Sequence, residues 1–555
     1  MRGPRIAVAA VTLVALACRI QLTYGSGIWA DEGMALSVVT IPSFEGMIEF
    51  LRLHESHPPL FYLLVRGWRA LAGTSDGAVF GLMVFISTLL VPLTYAVARS
   101  FLPTRASIFA ALLVAVSPAL AEHSSQVRPY GLLHLFVLIS CYLLTKAVEH
   151  GGVRLWSAFT VVTLLLLYTH NWAWLVFGGQ GIAGLVALMR LSPPNRKERA
   201  FEFGAALLVI VAMYLPWFST LVFQARHAGH TGLQLAGLSD LLAFYAFAAA
   251  SIPDYLLLGW YSPSSFSLVL IAGLAAGSVV AVAAASRRVA RTLSGLLQDA
   301  RRRRTRGSNS VEIFILTVIV ALTAAVVLSP WTHLFIQRCV GMLTPLALIC
   351  LAAAFDRILK RHASSVAAPL GIGLMTFVLT LEVATLVTLV PTTRSNAREV
   401  AEAVRANMRP DDLLITAPEW FAPGFNHYFP QSIEQHDHPQ AGRGGPIDFT
   451  SGQRRSLDPA ATSRLARVIA DARMAGRRVW LVSERTYLRY ADDLLPTITS
   501  DAERARYAPV RRAAEARELL TAAYGQPDTT NFVHGRVSRY EELLPLLFDS
   551  SPVVR

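Results

Sequence analysis

Apolar stretches recur along the first 390 residues, at roughly 5–23, 78–98, 107–121, 131–147, 155–169, 172–189, 204–223, 265–286, 311–329, 339–355 and 365–390. A bilayer core is spanned by about 20 helical residues. Only helices and closed barrels satisfy every backbone polar group there. The pattern therefore predicts an α-helical polytopic membrane protein with about 11 transmembrane helices.

Composition supports that class. Of 555 residues, 54% are hydrophobic and only 16% charged, too apolar for a soluble chain of this size. The net charge of +13 does not imply nucleic acid, because the basic residues gather between apolar stretches. Their alternation instead reports membrane orientation. Arg2/Arg5, Arg99/Arg105, Lys146/Arg154, the 190–199 group, Arg287–Arg306 and the 357–361 group fall on one side. The opposite loops carry Arg52, Arg66 and Arg69, then Arg128, Arg226 and Arg338 singly. The N-terminus is expected inside and the tail outside. A further span over 241–261 would put Arg301–Arg304 outside, so that stretch is read as lying at the outer face. Arg2 and Arg5 precede an apolar stretch as in a signal peptide, but Arg19 follows Cys18 without a persuasive cleavage site, which predicts a retained first span. Lysine occurs only at 146, 197 and 360 amid abundant arginine. That bias points to a GC-rich bacterial genome and a bacterial inner membrane. The four cysteines lie in or beside apolar stretches, so the tail has no disulfide framework.

Composition changes abruptly near residue 390. Two units are expected: a transmembrane catalytic domain, 1–390, and an extracytoplasmic soluble α/β domain, 391–555. In the latter, Arg398–Met408 and Arg464–Ala475 read as helices and Leu413–Ala417 and Val479–Ser483 as buried strands. The polar, Gly-rich tract 431–457 reads as a loop. Neither an internal repeat nor metal-ligand spacing is visible.

Chemistry concentrates at the outer borders of the spans. Trp29-Ala30-Asp31-Glu32 places two acids where an ionised carboxylate costs about 2.5–3.5 kcal/mol at the bilayer centre and less at the interface. Neighbours on a helix point about 100° apart, so one acid can face a site while the other orients it or holds an acceptor. A solvated helix cap is the plainer alternative. His57-Pro58-Pro59-Leu60-Phe61-Tyr62 stiffens the return into the membrane; His57 either binds a phosphate or caps the turn, and His54-Glu55 reads as ordinary surface. Arg128, in Gln126-Val127-Arg128-Pro129-Tyr130, offers a fork of donors suited to phosphate or to lipid headgroups. Glu122 supplies a further acid. Tyr168-Thr169-His170-Asn171-Trp172 sits at the next outer turn, where belt aromatics are common.

These elements, in this order, resemble the GT-C superfamily of membrane glycosyltransferases, in the branch of protein O-mannosyltransferases and lipid A aminoarabinose transferases. The matching pieces are Asp31-Glu32, His57-Pro58-Pro59-Leu60 with Tyr62, Arg128-Pro129-Tyr130, Tyr168-Thr169-His170, and Arg338 leading to Pro345. The resemblance implies sugar transfer from a polyprenyl-phosphate carrier to a glycan, lipid or protein acceptor at the outer face, with Asp31 as general base and no metal or cofactor. Asp31 and Glu32 are then the catalytic pair. Arg128, Arg338 and His57 hold the donor phosphate, and Glu122, Tyr62, Tyr130 and His170 line the substrate site. Many relatives carry Glu where this chain has Gln126. Two rival readings remain at this point. One is a polysaccharide polymerase or ligase using diphosphate-linked lipid through Arg226, His227 and His230. The other is a lipid or solute transporter.

Overall fold

The computed structural model describes residues 2–227, 308–332, 341–361, 367–429, 433–440, 455–498, 504, 507–528 and 538–549. The stretches 241–261 and 265–286 and the Arg287–Arg306 segment lie outside the described residues. Before residue 390 come α1 (Arg2–Thr23), α2 (Ala30–Val39), α3 (Phe44–His54), α4 (Leu60–Ala72), α5 (Asp76–Arg99), α6 (Thr104–Val116) and α7 (Pro118–Ser124). They are followed by α8 (Tyr130–His150), α9 (Val153–Leu167), α10 (Ala173–Met189), α11 (Pro193–His227), α12 (Ser308–Thr332), α13 (Thr344–Arg361) and α14 (Ala367–Leu389).

Among the described residues five helices are long and apolar enough to cross a membrane, or six if the bent α6–α7 pair is one span. Shorter apolar helices cover Val153–Leu167, Ala173–Met189, Val311–Val327 and Met375–Leu389. The outer faces are themselves apolar: Ile6, Leu13 and Val14 on α1 and Phe201, Leu208, Met213 and Leu215 on α11 are exposed. Such a surface suits lipid rather than water.

The α6–α7 break has a local cause. Pro118 lacks an N–H, so the helix cannot continue its ladder through it, and the two segments meet at 56°. Ser117 caps the new start by accepting from Leu120 N. The break frees carbonyls in the last turn of α6, and α1 supplies their donor. Arg19, fully buried, donates to Val114 O at 3.2 Å, Ala115 O at 3.0 Å and Ser87 Oγ at 2.6 Å. Arg19 is thus a strut inside the bundle.

Beyond α14 the chain forms β1 (Thr393–Ser395), α15 (Ala397–Asn407), β2 (Leu413–Thr416), α16 (Ala422–Asn426), β3 (Gln435–Asp437) and α17 (Ala460–Met474). Then follow β4 (Val479–Glu484), α18 (Arg485–Leu494), α19 (Ala508–Tyr524), β5 (Ser538–Glu541) and β6 (Leu543–Phe548). Four strands make a sheet of order β3-β2-β4-β6, parallel except for β6. Leu465 and Ile469 of α17 and Leu520 of α19 pack with Leu413, Ile415, Val479 and Leu481 of the sheet. β1 and β5 pair separately and in parallel, with Ser395 opposite Glu541. The reading of 431–457 as a loop needs one correction. Gln435-His436-Asp437 is an edge strand, held by Thr416 Oγ1 donating to Asp437 and by His438 N donating to Thr416 O. Its polar sequence carries no alternation that would reveal a strand.

Packing runs across residue 390. Ala30 and Met34 of α2 belong to one apolar cluster with Val400, Val404, Phe421, Phe425, Trp480 and Leu543. A Cβ added at Gly33 would fall 2.2 Å from Gly424 N, so α2 and α16 meet backbone to backbone. Only glycine permits that approach.

Replacing Arg19 with Met strands the Val114 and Ala115 carbonyls, each buried unpaired group costing about 1–3 kcal/mol. The expected result is a clearly lowered thermal midpoint of the detergent-solubilised protein, with Arg19→Lys intermediate; an unchanged midpoint for Arg19→Met would refute the strut.

Candidate active site

The acidic pair sits in the first turn of α2, and the structure separates its members. Trp29 caps the helix, and Trp29 N donates to Glu32 Oε2 at 3.4 Å. Glu32 is wholly buried, whereas Asp31 is partly exposed. Glu32 Oε1 accepts from Val127 N at 3.0 Å and from Arg394 Nη1 at 3.5 Å. It therefore ties α2 to the 125–129 turn and to the tail. Burial pushes its carboxyl up to about 7, against the pull of the Arg394 charge and the two amides.

Arg394 lies in β1 and is fully buried. Besides Glu32 it donates Nε–H to Glu122 Oε1 at 3.2 Å and an Nη2 proton to Ser125 Oγ at 2.8 Å. Its guanidinium lies 5.5 Å from the centre of the Phe80 ring. Its backbone N–H goes to Ser26 Oγ at 3.1 Å. The next residue continues the seam: Gly27 N donates to Ser395 O at 3.1 Å. Glu122, expected to line the substrate site, is buried beside this cation. Gln126, which stands where many relatives have an acid, is buried as well.

A second cluster gathers on the other side of Asp31. Arg128 is buried and donates from Nη1 to the Asp31 carbonyl at 3.3 Å. Its Nη2 lies 3.5 Å from His57 Nδ1. That nitrogen is 2.9 Å from Glu55 Oε1, a much better hydrogen bond, so Nδ1–H belongs to Glu55. Burial disfavours the Glu55 charge, yet the His57 hydrogen bond and the His57 and Arg128 charges outweigh it and hold the carboxyl down at about 2. The expectation that Glu55 is ordinary surface is thus corrected: it is 5% exposed and anchors His57. Burial also works against the Arg128 charge, but Tyr62, Asp31 and Glu55 more than restore it. Tyr62 is fully buried, its hydroxyl raised by burial and by Glu55. His170 stands edge-on to His57 at 4.7 Å between ring centres and 6.0 Å from Tyr130. Asn171 fixes this outer turn by donating to Ser56 O at 2.9 Å.

Asp31, Arg128, His57, Tyr62, Tyr130 and His170 therefore converge, while Glu32 and Glu122 join through Arg394. Arg338 and His230 lie outside the described residues, as do the side chains of Arg226 and His227. Among the described residues no group of three or more His, Cys, Asp or Glu is placed to hold a metal ion. A separate cleft of about 300 Å³ lies between α3 and α11, lined by Glu49, Arg52, Leu53, Ser219, Thr220 and Phe223.

Residues 56–217 match the dolichyl-phosphate-mannose-protein mannosyltransferase family. The fold is similar to that of apo ArnT from Cupriavidus metallidurans, with TM-score 0.51 and 13% identity over 90% of this chain and 95% of that one. That likeness is one of fold, and the family match covers only the segment 56–217. ArnT bound to undecaprenyl phosphate gives TM-score 0.49 at 13% identity, covering 89% of this chain and 94% of that one. The archaeal oligosaccharyltransferase AglB from Archaeoglobus fulgidus, in complex with an inhibitory peptide and a dolichol-phosphate, gives 0.47 at 11% identity, covering 97% and 74%. No match was found among curated proteins.

Besides the misread Glu55, sequence reasoning missed Arg394 and Glu541. The first carried a usable signal, an arginine just beyond the last long apolar stretch. The second carried none. Glu541 Oε2 accepts from Ala30 N at 3.0 Å, and Oε1 from Ser395 Oγ at 2.7 Å.

Burial pushes Glu541 up to about 8, against those two hydrogen bonds, from an ordinary value of 4.5. A carboxyl raised on folding takes up a proton, so its contribution to stability is complete below about pH 4.5 and disappears as pH rises through 8. The thermal midpoint of the wild type should therefore fall more steeply from pH 5 to 9 than that of Glu541→Gln. Parallel curves would contradict the burial effect.

Proposed function

We propose that the protein transfers a sugar from a polyprenyl-phosphate carrier to an acceptor hydroxyl on a glycan, lipid or protein, with inversion and with Asp31 as general base. The observation that carries this reading is the pairing of a partly exposed carboxylate with a buried guanidinium in its immediate reach. Arg128 Nε is buried with no hydrogen-bond partner among the described residues. A buried donor without a partner is costly, and a phosphate oxygen would satisfy it with a charge-assisted bond. The family that matches residues 56–217 is described by a lipid monophosphate sugar as donor.

In the reaction, the acceptor oxygen attacks the anomeric carbon as its proton passes to Asp31. The bond from that carbon to the phosphate oxygen breaks on the opposite face. Lipid phosphate leaves as an anion and needs no proton, unlike the alcohol released in glycoside hydrolysis, where paired carboxylates are required. One base therefore suffices. Arg128, with His57 beside it, neutralises the departing phosphate, a form of charge stabilisation that often dominates catalysis. Glu55 holds His57 by Nδ1, and Glu32 holds the helix turn that presents Asp31. The arginine asymmetry supports an outward-facing site in a bacterial inner membrane, with the N-terminus inside and the tail outside. No pool of nucleotide sugar exists there, which favours a lipid-borne donor.

The test uses purified full-length protein in lipid nanodiscs with a panel of labelled polyprenyl-monophosphate sugars. Asp31→Asn should lower turnover about 10²–10⁴-fold, the usual share of a general base, while donor binding persists. Near-normal turnover would remove Asp31 from that role. Arg128→Ala should weaken binding of polyprenyl phosphate itself, measured by titration without sugar; unchanged affinity would reassign Arg128 to anchoring the chain.

A further inference from the structure

α2 begins with backbone N–H groups that no residue of its own helix can satisfy, as every helix does. Here the partners come from far along the chain. The Glu541 carboxyl accepts from Ala30 N, the residue just before Asp31. Glu32, the residue just after Asp31, is met by Arg394. Asp31 is thus bracketed on both sides by tail residues.

Those two residues are not independent. Arg394 lies in β1 and Glu541 ends β5, and the two strands pair in parallel, with a register shift that brings Ser395 opposite Glu541. Ser395 Oγ completes the link by donating to Glu541 Oε1. The two-stranded ribbon therefore contacts the first turn of α2 from both strands. Behind it the Gly33–Gly424 contact and the shared cluster of Ala30, Met34, Phe421 and Phe425 leave α2 no room to rotate. On the opposite side Arg128 holds the Asp31 carbonyl. Geometry at the level of 1 Å matters in such a site, where misplacement alone can cost about 10²-fold in rate.

We propose that Arg394 and Glu541 are positioning residues for Asp31, and that the β1–β5 ribbon completes the catalytic machinery by fixing the direction in which α2 presents its acid. The inference rests on the reading of Asp31 as the base. Arg394 also neutralises Glu32 and Glu122, so its removal has a structural cost that removal of Glu541 does not. Glu541→Ala is the cleaner variant, and Glu541→Gln, which keeps an acceptor for Ala30 N and a group able to bond Ser395, is the conservative control.

The experiment measures hydrogen exchange and transfer kinetics on full-length protein in nanodiscs, using labelled polyprenyl-phosphate mannose and polyprenyl-phosphate aminoarabinose as probes. Glu541→Ala should raise amide exchange across residues 28–36 and leave the α5 and α8 segments at wild-type protection. It should also lower kcat about 10- to 100-fold, as misplacement of a reacting group does, with KM for the lipid donor unchanged. Glu541→Gln should restore both, and Arg394→Lys should behave as a partial version of Glu541→Ala. Wild-type exchange at 28–36 in Glu541→Ala, or raised exchange with unaltered kcat, would overturn the proposal. A rise in KM or a loss of protection throughout the molecule, unrelieved by Glu541→Gln, would overturn it in favour of a general stability role. Asp31→Asn, run alongside, separates the two ideas: if it transfers sugar normally the base assignment fails, and the exchange pattern alone then decides whether the ribbon holds α2.

Discussion

One buried cation organises the middle of this molecule. Arg394 touches the α1–α2 loop through Ser26, α2 through Glu32, and α7 through Glu122 and Ser125. Two carboxylates at that depth would repel each other and resist ionisation, and a guanidinium without them would be equally costly. Each makes the others tolerable. A guanidinium suits the task better than an ammonium, since its planar fork reaches several acceptors at fixed angles. The bent α6–α7 pair, the start of α2 and the first strand of the tail are thereby held to one point.

The same constraint explains why two adjacent acids have such different surroundings. Glu32 has its oxygens committed to two backbone amides and a guanidinium, which makes it a fastener. Asp31, rotated about 100° away on the helix, keeps access to solvent and to the Arg128 cluster. A division of labour follows from helical geometry alone, before any substrate is considered. On the Arg128 side, Glu55 performs for His57 what Glu32 performs for α2: a buried acid spends its hydrogen bonds on orientation.

Much of this was visible in the residues, and the reasons for the rest are specific. Apolar periodicity located the helices, because long lipid-facing runs leave a strong compositional trace. Arg128, His57, Tyr62, Tyr130 and His170 were legible as polar and aromatic residues at the ends of apolar stretches. The strands over Leu413–Thr416 and Val479–Glu484 were legible as short buried runs. Glu55 escaped because a buried acid and a surface acid look identical when the partner, His57, is itself ambiguous. Glu541 escaped because its contact spans 511 positions and no local pattern encodes it. The edge strand Gln435–Asp437 escaped because it is held by pairing with β2 and by polar side-chain bonds such as Thr416 to Asp437, which leave no apolar alternation in the sequence.

The bond between Ala30 and Glu541 also sets an order of events. The two residues stand 511 positions apart, so during synthesis the first turn of α2 lacks this partner until Glu541 has been added. Until the ribbon arrives, the carboxylate is present without a fixed aim.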